Sequence, residues 1–128
     1  MKILTVDDSL MIRILISQSV QSMGFNVLGA ENGEEAFEIL KTESENIKLI
    51  LLDWYMPHMT GFEFLQKIKS IEAYKEIPVM MVTTESERVN VIKALKYGAV
   101  NYLTKPFTQE DISSKILESL GMDEDDLQ

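Results

Sequence analysis

Five short apolar runs alternate with five helical patterns along the whole chain, and this alternation restricts the fold more than any other feature of the sequence. Ile3–Val6, Val27–Ala30, Ile47–Leu52, Val79–Thr83 and Asn101–Thr104 read as strands. The third and fourth are apolar without an in–out alternation, as expected of parallel strands covered on both faces. Between the runs lie amphipathic stripes. Ile12, Leu15, Ile16, Val20 and Met23 share a face of the first helix, and Gly24 is placed to end it. Ala36, Phe37 and Leu40 line the second helix, and Phe64, Leu65 and Ile68 the third. Val89, Ile92 and Leu95 line the fourth, which ends near Gly98. Ile112, Ile116, Leu117 and Leu120 line the fifth, where Thr108 and Asp111 have the spacing of a capping box. Read as core, these stripes give one α/β domain of 128 residues with a five-stranded parallel sheet and right-handed crossovers. There is no internal repeat, low-complexity segment or linker.

Composition narrows the chemistry. The chain has no cysteine, which excludes disulfides and thiolate metal sites. Its formal net charge is −9, and four acidic residues, Asp123, Glu124, Asp125 and Asp126, close the chain. The remainder is still acidic, which disfavours nucleic-acid binding and suits a small cation or a basic partner. Residues 121–128 are expected to form a short, solvated, frayed acidic tail. No run is long enough to span a membrane and no signal-peptide pattern opens the chain, so a soluble cytoplasmic protein is expected.

In an open α/β sheet, ligands bind beyond the carboxyl ends of the strands. Strand one ends in Asp7-Asp8, strand three in Asp53, strand four in Thr83-Thr84 and strand five in Thr104-Lys105-Pro106. Each has an ordinary explanation by itself: a helix cap, a β-former, a surface lysine. Their convergence from four strands does not. Three clustered carboxylates that stay ionised want a cation, and with no cysteine and one histidine an oxygen-ligated ion such as Mg²⁺ fits best. A carboxylate can also act as a nucleophile toward phosphorus. Asp53, at the end of a buried apolar run, is read as such a nucleophile, with Lys105 and Thr83 supplying charge and a hydroxyl. A flavin-phosphate site is disfavoured, because Asp7-Asp8-Ser9 would repel a phosphate in the absence of a metal.

The motifs VDDS at Val6–Ser9, LLDWYMPHMTG at Leu51–Gly61, VTTE at Val82–Glu85 and YLTKPF at Tyr102–Phe107 resemble the receiver domains of two-component response regulators, most closely their CheY-like chemotaxis members. The resemblance runs from Lys2 to about Leu120, giving a receiver domain at 1–120, and implies the doubly wound flavodoxin-like (βα)5 fold with strand order 2-1-3-4-5. It implies that Asp53 is the phosphoacceptor and that Asp7, Asp8, Asp53 and the backbone carbonyl of Tyr55 hold Mg²⁺, with Asp8 the more direct ligand of the acidic pair. It implies that Thr83 and Lys105 contact the phosphoryl group, that the Lys105–Pro106 peptide is cis, and that Tyr102 is an aromatic switch residue moving with Thr83. A histidine kinase is the implied phosphodonor, with autodephosphorylation or a phosphatase removing the group. The face of helix four, strand five and helix five is the implied output surface, carried by Val91, Tyr102 and Lys115, with Val91 expected to be exposed.

The output expected is a monomeric, single-domain switch acting by protein binding on a flagellar motor switch protein, rather than an enzyme with an external substrate. A phosphate sink or relay receiver is the alternative within the class. An Mg²⁺-dependent phosphohydrolase is disfavoured, because Tyr55 stands where such enzymes place a general acid. Tyr55 also departs from chemotaxis relatives, which often carry Asn there, and with Glu85 it is expected to set a slow autodephosphorylation rate. His58, in a Met-Pro-His-Met-Thr-Gly loop, does not have the setting of a phosphohistidine. Trp54 is expected to pack on the side of the strand end away from Asp53.

Overall fold

The computed structural model describes residues 1–84 and 88–127. Its strands are β1 (Lys2–Val6), β2 (Asn26–Ala30), β3 (Ile47–Asp53), β4 (Val79–Thr84) and β5 (Asn101–Lys105). Its helices are α1 (Leu10–Ser22), α2 (Gly33–Glu43), α3 (Gly61–Ser70), α4 (Arg88–Lys96) and α5 (Gln109–Leu120). All five strands pair in parallel in the order β2-β1-β3-β4-β5, so the expected doubly wound sheet is present. Each strand lies within one residue of its expected bounds, because an apolar run must end where burial ends.

The lack of alternation in β3 has a direct cause. Leu49 and Leu51 enter one core with Ile3, Ile16, Val20, Val82, Ile112 and Ile116. Ile50 and Leu52 enter the other with Leu4, Val6, Ala36, Leu40, Phe64, Leu65, Ile68 and Ala94. Helices α1 and α5 cover the first core, and α2, α3 and α4 the second, so both faces of the strand must be apolar.

The helix ends follow their sequence signals. Ser9, Asn32, Thr60 and Thr108 each accept a hydrogen bond at a helix N-terminus. Thr108–Asp111 forms the expected capping box, and Thr60–Glu63 a second one. Gly24 follows α1 with φ +91, a conformation that favours glycine. Glu124–Leu127 makes a 3-10 turn, Asp123 and Asp126 cap one another, and Leu127 packs on the α1–α5 core.

Two helix faces require correction. In α4 the expected stripe points outward: Val89 is 80% exposed, Ile92 60% and Leu95 41%. The buried positions are Val91, at 5%, and Ala94, so the expectation that Val91 is exposed is wrong. Both sets have helical spacing, and Ala94 admits a closer approach of the helix to the sheet than Ile92 would. The neighbouring contacts fix the rotation. Ala99 is buried just beyond the helix and donates to the Ala94 carbonyl at 3.0 Å, while Tyr97 meets Phe62 edge-on with ring centroids 5.0 Å apart. In α1, Leu15 is exposed and the small Ser19 is buried in its place. Leu10, Met11, Ile14 and Leu15 form an exposed apolar stretch.

Candidate functional site

The parallel register brings the strand ends level. Val6 pairs with Leu52, Asp53 with Val82, and Thr83 with Thr104, so the residues after β1 and at the ends of β3, β4 and β5 share one edge. Asp7, Asp8 and Asp53 each offer a carboxylate oxygen, all within 4.8 Å of one another. Asp7 and Asp53 are buried and Asp8 is exposed. Lys105 Nζ lies 3.2 Å from Asp7 Oδ2 and 3.2 Å from Asp53 Oδ1. The Lys105–Pro106 peptide is cis.

The electrostatics follow from burial. Desolvation, and then the neighbouring Asp7 carboxylate, raise the Asp53 pKa from 3.8 to about 6, against the opposing pull of Lys105. Burial by itself would lower the Lys105 pKa, but the Asp53 and Asp7 carboxylates outweigh it and raise the pKa above its ordinary value. One ammonium therefore stands against three carboxylates, and of these Asp53 is the one whose charge burial and Asp7 disfavour.

The donor set suits a hard cation. It consists of oxygens alone, their spacing is close to that of ligands sharing one ion, and the Asp7 side chain is half satisfied. Its Oδ1 accepts the Ser9 N–H at 2.9 Å, while among the described residues the buried Oδ2 has the Lys105 ion pair and no hydrogen bond.

Around this cluster the sequence-derived residues are partly assembled. Thr83 is buried beside Asp53 on β4, with its hydroxyl 3.5 Å from the Thr84 carbonyl. Tyr55 follows β3 with its side chain 58% exposed. Trp54 is buried in the α2–α4 core and stacks on Phe62, with centroids 5.4 Å apart. His58 is exposed, in the loop before α3, with φ +69. Tyr102 is half-buried, and Lys115 Nζ lies 4.9 Å from the centroid of its ring, so these two do meet on one surface. Val91 lies beneath that surface, in the wall of a cleft of about 110 Å³ that it shares with Arg88, Ile92, Leu95 and Tyr102. Glu85 lies outside the described residues.

Two positions went unnoticed in the sequence. Gly61 opens α3 directly against the end of β3, donating to the Trp54 carbonyl at 2.7 Å. A Cβ there would overlap the Asp53 carbonyl oxygen and stand 3.0 Å from Trp54 Cα. The signal was the Thr60-Gly61 pair, a cap residue followed by a glycine at a helix's first position, where glycine has no conformational advantage. Arg13 donates from Nη1 to the main-chain carbonyl of Asp7. It is the only lysine or arginine between Lys2 and Lys41.

The model of the response regulator receiver domain family matches residues 3–117. The chain is 42% identical over 122 residues to a chemotaxis protein CheY homolog of Campylobacter jejuni, covering 94% of this chain and 93% of that protein. It is also 42% identical to the chemotaxis protein CheY1 of Helicobacter pylori, with 94% and 98% covered. Among solved structures, chemotaxis response regulator CheY4 of Vibrio cholerae superimposes with a TM-score of 0.85 at 34% identity, covering 93% of this chain and 98% of that one.

Proposed function

This chain belongs to the response regulator receiver domain family, whose CheY-like members act as phosphoacceptor switches, and from that premise we infer that it is a chemotaxis-type switch phosphorylated on Asp53 by a histidine kinase. The observation that carries this reading is Lys105 Nζ standing 3.2 Å from both Asp7 and Asp53 within a three-carboxylate cluster. An Asp53 carboxylate oxygen attacks the phosphorus of a phosphohistidine, the P–N bond breaks, and the imidazole leaves. Mg²⁺ held by Asp7, Asp8, Asp53 and the Tyr55 carbonyl would neutralise the charge shared by the carboxylate and the phosphoryl oxygens. Lys105 keeps Asp53 oriented before transfer and pairs with a phosphoryl oxygen after it. Thr83 donates its hydroxyl to another phosphoryl oxygen.

Asp53 ends a strand buried on both faces, so the nucleophile is held by the sheet and not by a loop. The donor would approach over the exposed apolar Leu10, Met11, Ile14 and Leu15, because α1 begins two residues after Asp8. Output would pass through Tyr102, Lys115 and the outward Val89, Ile92 and Leu95 to a protein partner, with a flagellar motor switch protein the best fit to chemotaxis relatives. A cytoplasmic location suits this role, and among the described residues no helix is long and apolar enough to cross a membrane.

The test is intact-mass analysis after treatment with acetyl phosphate and Mg²⁺. A single phosphoryl adduct that is absent in Asp53→Asn is expected. No adduct, or an adduct that survives Asp53→Asn, would overturn the assignment.

A further inference from the structure

Arg13 stands between Ile12 and Ile14 on a helix with no other charged side chain. Such a residue would be expected to turn toward solvent, yet this one turns back across the end of β1. Its stem passes Gly29, where an added Cβ would stand 3.6 Å from Arg13 Cδ, and its Nη1 reaches the Asp7 carbonyl. That carbonyl belongs to the peptide joining Asp7 to Asp8.

The two aspartates are held very differently. The Asp7 N–H donates to the Ala30 carbonyl at 3.0 Å, and its Oδ1 accepts from the Ser9 N–H at 2.9 Å. The Asp8 side chain is exposed and has no hydrogen bond among the described residues. The direction of its Cα–Cβ bond depends on the rotation of the Asp7–Asp8 peptide, and the side-chain contact holding that peptide's carbonyl is Arg13.

We propose that Arg13 is a positioning residue for the cation site: by binding the Asp7 carbonyl it fixes the Asp7–Asp8 peptide and aims the Asp8 carboxylate at the ion. The inference rests on Asp7, Asp8 and Asp53 forming that site. Partners that orient metal ligands commonly affect metal affinity by about 10–100-fold when removed. A purely electrostatic role predicts the opposite sign, since removing a nearby positive charge would tighten a cation.

Mg²⁺ binding is measured by titration calorimetry and by Trp54 fluorescence in the wild type, Arg13→Met, Arg13→Lys, Asp8→Asn and the Arg13→Met/Asp8→Asn double variant. Methionine keeps the apolar stem and loses the donor. The expected result is affinity about tenfold weaker in Arg13→Met, largely restored in Arg13→Lys, with no further loss when Arg13→Met is added to Asp8→Asn. Unchanged or tighter binding in Arg13→Met overturns the proposal, as does an undiminished loss in the Asp8→Asn background. If Arg13→Met does not fold, Arg13→Lys decides: it keeps the charge and one donor, and affinity more than tenfold weaker with an unchanged melting temperature refutes positioning through a single hydrogen bond. Absence of Mg²⁺ binding by the wild type removes the cation site itself, whereas normal wild-type binding with an indifferent Arg13→Met removes the positioning role alone.

Discussion

In the absence of a cation, Asp53→Asn should make this protein more stable. The Asp53 pKa is raised from 3.8 to about 6, mainly by burial and then by Asp7. In the unfolded chain the carboxyl loses its proton near the lower value, and in the folded chain near the higher one. Between them the native state holds more protons than the unfolded state, so stability falls as pH rises through this window. Below both values there is no penalty. At about pH 7.5 the full difference applies, roughly 3 kcal/mol, and at about pH 4.5 roughly 1 kcal/mol remains. Asparagine keeps the shape and loses the charge, so the variant should melt about 8–12 °C above the wild type near pH 7.5 in chelator, and the gap should shrink toward pH 4.5. Thermal melts by circular dichroism at the two pH values measure it. A variant no more stable than the wild type near neutrality, or a gap that does not depend on pH, would refute the account of Asp53 as a carboxylate held against its solvation.

Three further outcomes follow from the geometry. Gly61→Ala places a methyl group against the Asp53 carbonyl and should cost about 1–3 kcal/mol in urea melts, with a matching loss of phosphorylation by acetyl phosphate, because α3 must withdraw from the strand end. On α4, Ile92→Ser should leave stability within about 0.5 kcal/mol, while Ala94→Leu should cost about 1–3 kcal/mol, and the reverse order would restore the face expected from the sequence. Tyr55→Asn should shorten the phosphorylated half-life, followed by intact mass or radiolabel, on the reading that the exposed phenol two residues after Asp53 hinders the attacking water; an unchanged half-life disposes of that role.

The sheet was legible because its signal is redundant. The apolar runs Ile3–Val6, Val27–Ala30 and Ile47–Leu52 are each bounded by polar residues, and β3 and β4 must be apolar on both faces, so a shift of one residue changes little. The edge was legible because Asp7, Asp8, Asp53, Thr83 and Lys105 lie at or just beyond the carboxyl ends of their own strands, and parallel pairing carries those ends to one side. The rotation of α4 was not legible, since Val89-Ile92-Leu95 and Val91-Ala94 both repeat at helical spacing. Choosing by side-chain size favoured the larger set, whereas close packing of the helix on the sheet favoured alanine. Leu15 and Ser19 in α1 repeat the lesson. Arg13 was invisible for another reason: hydrogen bonds to main-chain carbonyls leave no residue-type pattern to detect.

The errors on α1 and α4 and the strain at Asp53 share a physical origin. On the proposed function, a surface that meets partners would keep apolar side chains where folding does not use them, and Leu10, Met11, Ile14, Val89 and Ile92 add solvent-exposed area without adding to the core. A site that takes up a cation and a phosphoryl group, as proposed for this one, would likewise keep charge where folding does not want it. Three carboxylates face one ammonium, and burial, followed by the Asp7 charge, raises the Asp53 pKa. A dication would remove most of that imbalance, and transfer to Asp53 would exchange a crowded carboxylate for a phosphoryl group that Lys105 and Thr83 can share. The free energy of crowding these carboxylates without a cation, roughly the 3 kcal/mol by which Asp53→Asn should stabilise the fold in chelator, is then of the same order as the bias needed to shift a two-state output face. If that variant gained stability yet bound Mg²⁺ as tightly as the wild type, that free energy would not be coupled to the ion, and this link between site and surface would fail.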